Sequence, residues 1–283
     1  ELHMGKARLD QATVVFLGDY CDRGSNTRDV IDWLISLRDS RKPSKTVFIT
    51  GNHDFAFASF IGCAPTADIT DFDLDSTNVN GKTKWIWMHD IEGGMHFQGR
   101  RWGGGPFYDS EVTFASYGVE NDFTIVARDR LIAAVPQSHK DFLRELPWVY
   151  EHKLPYAPGN LVAVHAGLRS DRPAEAQLTA LRDRRINAPE LQVHEFGRFE
   201  TLSGRTEVEP MHPDLDGRAI LVSGHHGFRS VTGDRFIMDF SGGKPGRPLE
   251  AVIFPERQIV STGDLDDALL CSSTRLQVAW DAG

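Results

Sequence analysis

The sequence predicts an α/β fold. Four short apolar runs carry that prediction, at 13–17 (TVVFL), 46–50 (TVFIT), 161–164 (LVAV) and 219–222 (AILV). Runs of this length punctuated by glycine read as strands buried on both faces. Between the first two, Val30, Ile31, Trp33, Leu34, Ile35 and Leu37 recur at helical spacing behind Asn26, a candidate cap. A strand, a helix and a strand in that order imply a parallel pair, because a parallel connection needs a crossover.

Further elements follow along the chain. Leu2 to Leu9 read as the end of a helix, and 128–146 as two helices or one bent helix, since Pro136 interrupts the apolar spacing. Trp148-Val149-Tyr150 reads as a strand, and 235–240, 251–254 and 258–260 as strands of a second sheet packed on the first. Residues 64–107 form a long polar and Gly/Trp-rich insertion, the length expected of a functional lid. Within it His89, His96, Arg100 and Arg101 are candidates for a positive wall facing a phosphorylated peptide; a solvated loop with its own small aromatic core is the alternative. Residues 264–283 carry no domain signal, and 1–283 read as a single domain.

Composition narrows the function. With 31 Lys and Arg against 40 Asp and Glu, the formal charge is -9, the wrong sign for a protein that wraps duplex nucleic acid. The three cysteines, Cys21, Cys63 and Cys271, are far apart and form no CxxC pair, so neither a disulfide framework nor a zinc knuckle is expected. No apolar run reaches the 18 or so residues of a membrane span, and Glu1 to Lys6 lack a signal layout. A soluble protein of the cytosol or nucleus is expected, with no membrane or nucleic-acid partner.

The strand ends carry the chemistry. After the four runs come Gly18-Asp19-Tyr20-Cys21-Asp22-Arg23-Gly24, Gly51-Asn52-His53-Asp54, His165-Ala166-Gly167-Leu168 and Gly224-His225-His226-Gly227. In open α/β sheets ligands bind beyond the carboxyl ends of strands. An Asp, an Asn and two or three His converging there are oxygen and nitrogen donors suited to Mn, Fe or Zn. Hydrolysis is the implied chemistry, because a dication acidifies water and neutralises phosphoryl charge. Each piece alone has a bland reading: Asp19-Tyr20 and Gly51-Asn52 as turns, His165 as a core histidine. Four together after four strands do not.

These segments resemble the GDxxDRG, GNHE, HGGL and final-His motifs of PPP-type metallophosphoesterases. The stretches around 16–37, 52–60, 97–102, 114–119, 135–146 and 221–227 are more closely similar to the plant Rhizobiales-like phosphatases. The resemblance covers most of the chain, most loosely over 64–84. It implies a calcineurin-like β-sandwich flanked by helices, with Asp19 bridging two metals and Asn52, His165 and His225 completing the second. It further implies His53 as general acid, Asp22 holding that imidazole, and Arg23 clamping phosphate oxygens with its planar fork. Arg205 is the candidate for a second clamping arginine, with Arg169 behind it and Arg101 on the insertion. Cys21 sits among carboxylates that raise its pKa, so it is expected to be structural and not a nucleophile.

One family motif, GDxHG, which supplies the first metal's Asp and His, does not occur in this sequence. Glu1-Leu2-His3 stands too close to Asp19 to leave room for the loop, helix and return that should follow that strand. On this reading the first strand is missing, a single metal remains with Asp19, Asn52, His165 and His225, and His226 does not replace the lost ligands, since adjacent residues on extended chain face opposite ways. The resemblance implies a phosphoprotein phosphatase acting on phosphotyrosine, or on phosphothreonine near phosphotyrosine. Two alternatives stand beside it: a dinucleoside polyphosphate hydrolase, which uses similar HAG and GH motifs, and a truncated pseudophosphatase that binds phosphopeptides through Arg23 without turning them over.

Overall fold

Strand β1 (Val14–Phe16) and strand β2 (Thr46–Phe48) run parallel, with Val15 opposite Val47, and the helix between them spans Thr27–Ser40. The computed structural model describes residues 5–41, 45–64, 95–104, 107–186, 188–193, 198–240 and 247–262. The crossover pair expected from the apolar spacing is therefore present. A short helix, α1 (Lys6–Gln11), precedes it, and the crossover helix is α2. Asn26 stands at the cap of α2 without capping it; its side-chain oxygen accepts a hydrogen bond from Ser25 Oγ instead. Thr27 serves the interior, its buried hydroxyl lying 3.0 Å from that of Thr113.

After β2 the chain enters α3 (Asn52–Phe60), α4 (Phe97–Gly103), α5 (Glu111–Ser116), α6 (Ile125–Ala134) and α7 (Gln137–Glu145). Pro136 separates the last two, because it offers no amide to α6 and forces Val135 into extended backbone. The main sheet follows: β3 (Val149–Lys153), β4 (Asn160–Val164), β7 (Ile220–Ser223), β8 (Arg229–Thr232) and β9 (Arg235–Met238), in the order β3-β4-β7-β9-β8. Between β4 and β7 lie α8 (Ala174–Arg182), the short pair β5 (Gln192–Val193) and β6 (Arg198–Phe199), and α9 (Glu200–Ser203). A final hairpin joins β10 (Glu250–Ile253) to β11 (Gln258–Ser261).

Alternation along β4 and β7 sorts the core. Val162, Val164 and Leu221 face α8 and meet Leu178, Leu181 and Phe199, while Ala163, Ile220 and Val222 face the other way. That second face receives Val15 and Leu17 from the β1 segment and Val252 and Ile259 from the hairpin, giving a sandwich. On the far side of β1 and β2, Phe16 and Phe48 meet α2 and the α3–α7 group through Ile31, Leu34, Phe57, Trp102 and Leu131. Each fully buried side chain of this size contributes about 1.5–3 kcal/mol. The layers are thus helices, the β1–β2 pair, the main sheet, and α8: a β-sandwich flanked by helices.

Three expectations change. Residues 235–238 join the main sheet, pairing in parallel with β7, so only the β10–β11 hairpin supplies the expected separate sheet. β1 is half-buried throughout, unlike the fully buried β7; among the described strands it pairs with β2 alone. Of the expected lid, helix α4 packs into the core through Trp102, while Phe107 is exposed. Helix α4 lies so close to α3 that a Cβ on Gly103 would come within 2.0 Å of the Phe60 ring, and Trp102 is completely buried. Residues 1–4, the Asp-rich stretch with Trp85, Trp87 and His89, and the tail including Cys271 lie outside the described residues.

No described helix is long and apolar enough to cross a membrane.

Candidate active site

The loops after β1, β2, β4 and β7 meet at one point. Asp19, His165 and His225 each place a ligand atom within 4.8 Å of the others. His165 Nε2 lies 3.2 Å from Asn52 Oδ1 and 3.3 Å from Asp19 Oδ1. The structure therefore gathers all four predicted metal ligands.

Backbone strain and two glycines make this approach possible. Asp19, Asp22, Arg23 and His225 all adopt positive φ, at 63°, 68°, 62° and 66°, a region that non-glycine residues enter only at a cost of about 1–3 kcal/mol. A Cβ on Gly51 would stand 2.2 Å from Asp19 Oδ1, and one on Gly18 would stand 2.5 Å from Gly51 N. Any side chain at Gly51 would hold Asp19 and His165 apart.

The loop is anchored by a residue whose role the motif reading left open. Asp54, fully buried on the first turn of α3, accepts hydrogen bonds from the amides of Gly51 (2.8 Å), Asp19 (2.7 Å) and Tyr20 (2.8 Å). Burial, with the Asp19 charge behind it, raises its pKa to about 6 against the pull of those three amides. Asp19 in turn accepts from His53 N at 3.1 Å, placing a carboxylate at the positive end of α3.

The donor set fits a divalent cation. His165 Nδ1 bonds the carbonyl of Leu17, which leaves Nε2 as the lone-pair nitrogen facing two oxygens. His225 Nε2 is buried with no hydrogen-bond partner. Burial, then the neighbouring His165, lowers the His225 pKa to about 2, so this imidazole is neutral. Burial works against a charge on His165 too, but the Asp19 carboxylate prevails and raises its pKa. Oxygen and imidazole nitrogen donors converging in this way are what a divalent cation requires. His226 turns away, with Nε2 2.8 Å from the Ala166 carbonyl, as alternation along the chain predicts.

Beside the cradle stands a second unit. His53 Nδ1 lies 2.7 Å from Asp22 Oδ2. The Asp22 carboxylate is sealed: Trp102 Nε1 donates to Oδ2 at 2.8 Å, and the Thr113 hydroxyl donates to Oδ1 at 2.7 Å. Burial opposes a charge on His53, yet Asp19 and Asp22 outweigh it and raise the pKa, while Arg23 pushes the other way. Tyr108 closes the dyad from outside, its buried ring edge-on to His53 at a centroid distance of 4.9 Å. Trp102, Thr113 and Tyr108 come from far along the chain, outside the four strand-end motifs.

The predicted arginines separate. Arg23 is exposed beside His53, and exposed Arg205 donates from Nη1 to the His225 carbonyl at 2.6 Å; both reach the site. Arg169 does not come free for phosphate: Asp171 holds it bidentately at 2.8 and 2.6 Å. Arg101 stacks on Phe107 at 3.9 Å. The expected positive wall is not formed by the described residues, since His96 is buried against Phe199 and Phe55, and Arg100 turns back to the Met95 carbonyl. Cys21 is buried beneath the loop; burial, then Asp22 and Asp54, push its thiol well up, so it is no nucleophile.

Among curated proteins none matches the chain. A family model described as calcineurin-like phosphoesterase matches residues 2–246, spanning every loop that contributes to the site. With this match and a cradle fitted to a divalent cation, the chain belongs to the calcineurin-like phosphoesterases, hydrolases that cleave phosphoesters with the help of bound metal.

Proposed function

We propose that the chain is a phosphoprotein phosphatase of the PPP type, related to the Rhizobiales-like phosphatases, acting on phosphotyrosine or on phosphothreonine near it. Its partner is then a phosphorylated protein or peptide of the cytosol or nucleus. The observation that carries the reading is His53, hydrogen-bonded to a sealed carboxylate and bordering the Asp19, Asn52, His165 and His225 cradle.

A divalent ion in that cradle would supply an acidified water and neutralise phosphoryl charge. The residues do the rest. Arg23 and Arg205 bind the phosphate oxygens, Arg205 with guanidinium N–H groups beyond the one that anchors it to His225. With Nδ1–H committed to Asp22, protonated His53 carries its second proton on Nε2. As the bond from phosphorus to the attacking water oxygen forms and the ester bond breaks, that proton passes to the leaving oxygen.

Metal content and hydrolysis are measured on one sample, with a phosphotyrosine peptide and a dinucleoside polyphosphate as substrates. Bound metal with peptide turnover is expected. Turnover of the nucleotide alone would replace the protein-phosphatase reading, and metal binding with neither turnover would leave a phosphopeptide-binding pseudophosphatase.

A further inference from the structure

The segment that closes the dyad splits its two aromatic residues in opposite directions. Tyr108 is 1% exposed and packs edge-on against His53, while its neighbour Phe107 is 62% exposed. Asp109, next in sequence, adopts φ of 57°, a left-handed conformation that Asp tolerates better than most residues. A single exposed phenylalanine needs no explanation. This one is different in two respects. The Arg101 guanidinium lies over its ring at 3.9 Å, and the Phe107 and Tyr108 rings meet at 5.2 Å, linking Phe107 ring to ring with the general acid. Arg101 is itself steadied by Phe97, whose ring centroid is 5.5 Å away.

A general acid must lie within hydrogen-bond reach of the leaving oxygen, so the group carried on that oxygen extends past His53 toward whatever borders it. Asp22, Arg23 and Tyr108 border His53, and on the Tyr108 side the next ring is the exposed Phe107, backed by a cation. Resting on the phosphatase reading above, we propose that Phe107, held by Arg101, is a specificity-determining platform for an aryl leaving group. A phosphotyrosyl ring is bonded directly to the leaving oxygen and presents an apolar face there. The short alkyl side chain of phosphoserine or phosphothreonine presents none, so the platform favours aryl over alkyl phosphate monoesters. Offset or edge-on contact between two rings adds to the area buried.

The test uses the full chain loaded with Mn and two non-hydrolysable probes in which a methylene replaces the ester oxygen. Calorimetry compares benzylphosphonate, which carries a ring, with ethylphosphonate, which does not. Benzylphosphonate is expected to bind about five- to tenfold tighter. That ratio should fall to near one in Phe107→Ala and in Phe107→Gln, which keeps length without a ring, and persist in Phe107→Tyr. Equal affinity of the unmutated protein for both probes, or a ratio unchanged in Phe107→Ala and Phe107→Gln, would overturn the platform and leave the phosphoesterase site standing. Failure of both probes to bind the metal-loaded protein would overturn the phosphatase reading and the platform with it.

Discussion

The metal cradle and the His53–Asp22 dyad share the N-terminus of α3 but satisfy their polar atoms in opposite ways. In the dyad every oxygen of Asp22 already meets a donor, from His53, Trp102 or Thr113. In the cradle Asp19, Asn52 and His165 turn acceptors toward one another, and His225 Nε2 meets nothing. One unit is complete in the polypeptide; the other is completed by a cation. Changes to the cradle should therefore act through metal occupancy, and changes to the dyad through proton affinity with metal retained.

The largest effect is expected for Asp19→Asn, which removes the one carboxylate of the cradle: turnover of a phosphotyrosine peptide should fall on the order of 10³-fold. Metal content measured on the same sample should fall with it. Equal turnover in the variant and the unmutated protein would remove Asp19 from the metal site.

Asp22→Asn should keep the metal and lower kcat about 10²-fold. Its pH profile sharpens the contrast. The raised pKa of His53 places the loss of its proton above the ordinary histidine value of 6.5. Removing the Asp22 charge lowers that pKa, so the basic limb should move to lower pH. Linkage has the same sign: stability from the raised His53 is fully present below 6.5 and is lost as pH rises through the folded value. An unmoved basic limb would sink the assignment of His53 and Asp22 as a coupled acid.

Arg205→Ala should cost about tenfold in kcat/KM, less than Asp19→Asn, because it removes one charge-assisted phosphate contact and leaves the cradle intact. Trp102→Phe should have the smallest kinetic effect, about threefold, since His53 and Thr113 still hold Asp22. It should cost about 1.5–3 kcal/mol in urea unfolding through the lost bond to a charged acceptor. A loss in kcat larger than that of Arg205→Ala would mean that Trp102 positions the acid and does not only stabilise it.

The contrast also separates what local sequence reveals from what it conceals. The cradle was legible because its ligands follow apolar runs and its close approach depends on Gly18 and Gly51, all within a few residues of each ligand. The partners of Asp22 were not: Trp102 and Thr113 lie 80 and 91 positions away in the chain. Asp54 was visible in its motif, but its task of binding three loop amides appears only when the two loops are side by side. The arginines misled for a similar reason. Charge is evident in sequence, yet Arg169 is committed to Asp171, and His96 to an aromatic stack, by contacts that only folding creates.

By itself the sequence determined the parallel crossover unit, the four strand ends and the donor atoms they deliver, because hydrophobic period and glycine geometry act over a few residues. Tertiary structure alone decided which side chains seal the His53–Asp22 pair, that Arg169 is tied to Asp171, and which aromatic ring stays outside. Burial and charge pairing join residues distant in the chain, and these set the protonation and reach of a side chain whose identity the sequence had already supplied.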